Sequence, residues 1–207
     1  LFDRVPAAAR MALTATATPQ VQEDICTQLG LRSPLRLVGH PDRPNLVYRA
    51  HPRAEGARQI LDVVRRYPGQ GGIVYALTRK DTERIAEALR KAGVDARPYH
   101  AGMDAADRAK VQDDFVNERL QVVSATIAFG MGIDRSNVRF VVHAHLPRSL
   151  EHYQQESGRA GRDGLPAECV LLASAGDLFR HKRMAQLDGP LSPARRVALD
   201  RQLADIG

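Results

Sequence analysis

Two arginines three positions apart, set among three glycines, form the chemically densest string in the chain: Gln155-Glu156-Ser157-Gly158-Arg159-Ala160-Gly161-Arg162-Asp163-Gly164. A guanidinium fork binds phosphate oxygens in pairs and keeps its charge at any physiological pH. Glycines let the backbone turn tightly and come close to whatever the forks hold. Aimed at a γ-phosphate, such an arginine stabilises charge that builds up in the transition state, an effect worth about 10³ to 10⁵ in rate. The plain alternative is a salt-bridged surface turn. A second string, Ala125-Thr126-Ile127-Ala128-Phe129-Gly130-Met131-Gly132-Ile133-Asp134, follows an apolar run. Thr126 offers a hydroxyl and a backbone N–H to a nucleic-acid phosphate. Gly130 and Gly132 permit a tight path, and Asp134 is a candidate acceptor for a ribose hydroxyl. Read alone, this is also the glycine-bearing connection of any α/β protein.

Weaker signals accompany these. Thr78 and Arg79 follow an apolar strand, and a hydroxyl at a helix start makes an anion site; an ordinary helix cap accounts for Thr78 equally well. His100, in Tyr99-His100-Ala101-Gly102, is either a contact or a hydrogen-bonded structural residue. Thr14 and Thr16, in the alternating Thr/Ala run 12–18, read as a plain strand or as a hydroxyl-rich coupling segment. The remaining histidines lack metal spacing, and Cys26 and Cys169 form neither a disulfide framework nor a zinc motif. Two reduced thiols fit a cytoplasmic protein.

These residues need a scaffold, and the periodicity supplies one. Strands are expected at 46–50, 72–76, 96–99, 120–124, 138–143 and 169–173. Helices are expected at 54–67, 79–92, 105–115 and 150–155. Earlier, 11–13 reads as a strand end, 35–38 as extended, and Thr18-Pro19 as a helix start by cap and first-position proline. A further helix is expected at 192–206. Strands alternating with helices imply an α/β fold with a parallel sheet and helices on both faces. In such sheets working loops lie beyond the carboxyl ends of the strands. That rule marks 77–79, 100–102, 125–134 and the segment after Leu146.

With 207 residues, 43% of them hydrophobic and 26% charged, the composition is that of a globular protein. The net charge of +6 suits a polyanionic partner. Trp is absent and aromatics make up 5%, which argues against a site built mainly on base stacking. No apolar run approaches the roughly 18 residues of a membrane helix. Leu1-Phe2-Asp3-Arg4 is neither an initiator Met nor a signal peptide, so a fragment of a longer protein is expected.

In this order the strings resemble the superfamily 2 helicases, and among them the RecQ family. Residues 12–18 resemble motif III, Asp42-Arg43-Pro44-Asn45-Leu46 the D-R-P-N-L turn, 72–79 motif IV and 99–103 the Y-H-A-G-[LM] string. Residues 125–134 match motif V and 153–164 motif VI. The resemblance implies an ATP-driven 3′→5′ DNA-unwinding motor in which two RecA-like lobes clamp ATP and Mg²⁺. It implies that 1–31 is the tail of the first lobe, 32–187 the second, and 188–207 a linker toward a zinc-binding module. By motif match Arg162 is the arginine-finger candidate, with Arg159 beside it on the phosphates. Gly132, Asp134 and Gln155 lie by the nucleotide, Thr78, Arg79, His100 and Thr126 by single-stranded or partly duplex DNA, and Thr14 and Thr16 in the coupling segment. Pro41 stands where the family has an aromatic and His145 where it has an acid. No G-x-x-x-x-G-K-[ST] string or D-E-x-H box occurs, so the chain by itself is expected to be inactive. A non-catalytic DNA-binding module and an RNA-helicase lobe are the alternatives.

Overall fold

The computed structural model describes residues 9–14, 17–39, 42–130, 133–177 and 179–181. They divide into two compact units, within 1–42 and within 43–207. In the first, helix α1 (Pro19–Gln28) starts as expected: Thr18 Oγ1 accepts from Val21 N at 3.4 Å, and Pro19 needs no N–H partner there. The expected strand at 11–13 and the extended run 35–38 do not form strands, and their large apolar side chains are exposed. A strand exists only through its ladder, and no described residue of this unit offers one.

The second unit is a six-stranded sheet, every pair parallel, in the order β1-β6-β5-β2-β4-β3. The strands are β1 (Leu46–Pro52), β2 (Gly71–Tyr75), β3 (Ala96–Tyr99), β4 (Val122–Ala125), β5 (Val138–His143) and β6 (Ala167–Ala173). The helices are α2 (Gly56–Arg66), α3 (Arg79–Lys91), α4 (Ala105–Val116) and α5 (Leu150–Ser157). Every strand expected between 46 and 173 is present, with ends shifted by two residues or fewer. Strands β2, β4 and β5 are buried along their whole length, which is why they read as continuous apolar runs.

Alternate residues of those strands feed two cores. On one face Ile60, Val63 and Val64 of α2 and Ile85 and Leu89 of α3 pack on Val74, Val122, Phe140 and Val142. On the other, Val111 and Phe115 of α4 join Phe129, Ile133 and Ala160 over Ile73, Tyr75, Val123 and Val141. The second core is therefore closed partly by the two chemical strings themselves. Fully burying such side chains contributes about 1.5–3 kcal/mol each. The helix expected at 192–206 lies outside the described residues.

One expectation about placement is corrected. Helix α5 starts beyond the carboxyl end of β5, but β6 is parallel to β5, so the crossover must carry the chain back. The arginine turn that ends this return sits at the amino ends of the strands: Gly161 N donates to Val138 O at 2.8 Å. The carboxyl-end rule holds for 77–79, for 100–102 and for the start of 125–134; it fails for this turn and for Asp134, which the same loop carries down to Arg162.

Candidate functional site

The arginine turn and the glycine-bearing connection meet on one face of the sheet. Arg162 Nη1 donates to Ile133 O at 3.1 Å and to Asp134 Oδ1 at 3.2 Å. This pair is open to solvent, with 37% of the Arg162 side chain and 91% of the Asp134 side chain exposed, so screening leaves it little net strength. The guanidinium is free to exchange this partner for a stronger anion. Arg159 pairs with no carboxylate among the described residues, and its Nε is buried without a hydrogen-bond partner. Its Nη2 lies against Gly130, where an added Cβ would approach it to 2.9 Å and make the guanidinium shift. Beneath it Tyr75 donates its hydroxyl to Phe129 O at 3.0 Å, and burial holds that hydroxyl's pKa above the usual tyrosine range. Glu156 meets buried His143 at 2.9 Å. Gln155 is exposed on α5; Gly132 lies outside the described residues.

The turn is braced by residues the motif reading passed over. Asp163 accepts from Arg139 Nη2 through both oxygens, at 2.6 and 2.5 Å, and this pairing holds its carboxyl below the usual range. Arg43 and Asn45, just before β1, donate to backbone carbonyls of the turn. The string Asp42-Arg43-Pro44-Asn45 was visible in the sequence. Its partners, more than a hundred positions away, were not.

The carboxyl rim gathers the other candidates. Thr78 caps α3: its Oγ1 accepts from Asp81 N at 3.1 Å and donates to Asp81 Oδ2 at 2.8 Å. The hydroxyl is therefore occupied by the cap. Arg79 is exposed and lies against Gly102 of the neighbouring loop. His100 is buried and reaches Glu83 at 3.1 Å. Thr126 is tied to the same rim, its N–H donating to Tyr99 O at 3.1 Å. Thr14 is an exposed residue of the first unit, and Thr16 is outside the described residues. Among the described residues no cluster of His, Cys, Asp or Glu has the geometry to hold a metal, and no helix is long and apolar enough to cross a membrane.

Residues 55–164 match a family model described as the helicase conserved C-terminal domain. The chain is 48% identical over 192 residues to the ATP-dependent DNA helicase RecQ of Haemophilus influenzae, covering 93% of this chain and 31% of that protein. It is 48% identical over 169 residues to the RecQ of Bacillus subtilis, covering 82% and 29%. It is 43% identical over 188 residues to the ATP-dependent DNA helicase Q1 of Mus musculus, covering 88% and 29%. The chain thus spans about 30% of the length of these curated relatives. Among solved structures, the Mycobacterium smegmatis helicase Lhr bound to ssDNA and AMP-PNP superposes with a TM-score of 0.53 at 26% identity, over 68% of this chain and 21% of that one. A DEAD box protein from Methanococcus jannaschii superposes with a TM-score of 0.55 at 24% identity, over 68% and 38%, a likeness of fold. Because the matched stretch runs from α2 through the arginine turn, the chain belongs to the helicase conserved C-terminal domain family, in its RecQ branch.

Proposed function

We propose that this lobe works in an ATP-dependent 3′→5′ DNA helicase of recombination and repair, closing with a second RecA-like lobe around ATP and Mg²⁺. The observation that carries the reading is the pair of arginines on one turn that no strong ion pair holds: Arg162 in an exposed, weak pair and Arg159 with an unbonded buried Nε. A buried donor without a partner is costly, which favours a ligand that supplies an acceptor. A triphosphate supplies acceptors of the right charge and geometry for both forks.

In this reading ATP supplies the scissile γ-phosphate and Mg²⁺ offsets its charge, with the metal held mainly by the other lobe. Arg162 leaves Asp134 for the γ-phosphate, and the freed Asp134 carboxylate accepts from the ribose. Arg159 stays beside it on the phosphates, and Gln155 reads the nucleotide from α5. Thr126, Arg79 and His100 face the nucleic-acid backbone from the carboxyl rim. Thr78 contributes through the helix start it caps, since its hydroxyl is already bonded.

The test uses an intact motor built from this lobe and an ATP-gripping lobe. Arg162→Ala should lower DNA-stimulated ATP hydrolysis by about 10³-fold or more while nucleotide still binds. A hydrolysis rate equal to that of the parent motor would overturn the reading. Competition between single-stranded DNA and RNA of equal length tests the substrate, with DNA expected to prevail.

A further inference from the structure

Strand β1 is an unusual member of the sheet. It is an edge strand, and Leu46 is the one residue of its seven that is buried. It adds little to either core. Its two flanks, however, each donate side-chain hydrogen bonds to the segment that carries α5, Arg43 and Asn45 at its far end and Arg53 at its start.

At the amino end Arg43 Nη2 donates to Ala160 O at 3.1 Å and to Gly161 O at 2.7 Å. Asn45 Nδ2 donates to Gly161 O at 2.8 Å and to Leu165 O at 2.9 Å. The carbonyl immediately before Arg162 thus receives two side-chain donors. At the carboxyl end Arg53 Nη1 donates to Ala144 O at 2.7 Å and to Asp177 Oδ2 at 2.9 Å. Asp177 Oδ2 also accepts from Leu146 N at 3.3 Å, so the chain is gripped on both sides of His145, five residues ahead of α5. Between the flanks, β1 runs in unbroken register with β6 from Leu46↔Ala167 to Pro52↔Ala173. The separation of the two grips is therefore set by a paired strand.

We infer that β1 and its flanks form a frame holding the arginine-bearing crossover at both ends, with Arg43 and Asn45 as positioning residues for Arg162. The amino-end grip uses backbone carbonyls and touches neither the Arg159 nor the Arg162 side chain, as a device that orients catalytic groups without occupying them must do. The inference rests on the reading of Arg162 as a phosphate-facing group. Misplacing such a group by about 1 Å costs on the order of 10²-fold in rate.

The experiment is a double-mutant cycle in the intact motor, reading DNA-stimulated ATP hydrolysis. Asn45→Ala should lower kcat by about 10²-fold and leave the nucleotide KM nearly unchanged. In the Arg162→Ala background the same change should cost less than about 3-fold, because no guanidinium remains to be misplaced. Equal fold-losses in both backgrounds would mean a general structural role and would overturn the inference. If thermal unfolding shows that Asn45→Ala does not fold, Arg43→Lys, which keeps the charge and loses the fork, takes its place in the same cycle. Parent-like hydrolysis by Arg162→Ala is a separate outcome, and it would remove the motor reading and this inference together.

Discussion

Gly161 is the most constrained position of the arginine turn. Its φ is +52°, and an added Cβ would come within 2.5 Å of Asn45 Nδ2 and 2.8 Å of Leu165 O. Gly161→Ala should therefore cost about 1–3 kcal/mol from the backbone alone and more from the collision. Gly164 has φ +81° but open space around it, so Gly164→Ala should show the backbone cost only. Urea midpoints of the two variants at unchanged slope check the difference; equal losses would refute the collision argument. The arginines were legible in the sequence because glycine spacing and charge announce them. Asn45 was legible only as part of a string, since a side-chain amide says nothing of carbonyls 116 and 120 positions away. Thr78 was readable in two ways, and the bond to Asp81 N decides for the cap.

The loop joining β5 to α5 titrates. His145 is buried, and burial is the first cause lowering its pKa below the usual histidine value. Arg53 and Arg180 push the same way, while Asp81 and Asp177 oppose them. The folded state therefore takes up a proton less readily than the unfolded chain. Stability from this group is complete above about pH 6.5 and is lost as pH falls from there toward the folded value. Unfolding free energies measured from pH 7.5 to 5 should decline less steeply for His145→Leu than for the parent; identical slopes would contradict the assignment. Elements such as this loop are harder to foresee than the strands it joins. Strands β2, β4 and β5 declare themselves as apolar runs buried on both faces. Residues 35–38 have the same local preference and form no strand, because local preference supplies no ladder partner.

A net charge of +6 and three rim loops at one end of a parallel sheet suit a polyanion that tracks across the lobe. The 207-residue chain should bind single-stranded DNA with an affinity that falls as salt rises, by a slope near 0.7 per phosphate neutralised. The same chain should not hydrolyse ATP, because it holds no G-x-x-x-x-G-K-[ST] loop to grip the phosphates. Salt-independent binding, or DNA-stimulated hydrolysis that Arg162→Ala abolishes, would each contradict this account.

The backward run of α5 has a mechanical result. The six residues of β5, at about 3.3 Å each, hold the rim that carries Thr78 and Thr126 roughly 20 Å from the turn at the far end of the strands. The strands between them are hydrogen-bonded into one stiff plate. When such a plate tilts about its middle, drawing Arg162 inward swings the rim outward, as the two arms of a seesaw move. Under the proposed function, closure on a nucleotide at one end would thus become displacement at the other without any rearrangement of the sheet.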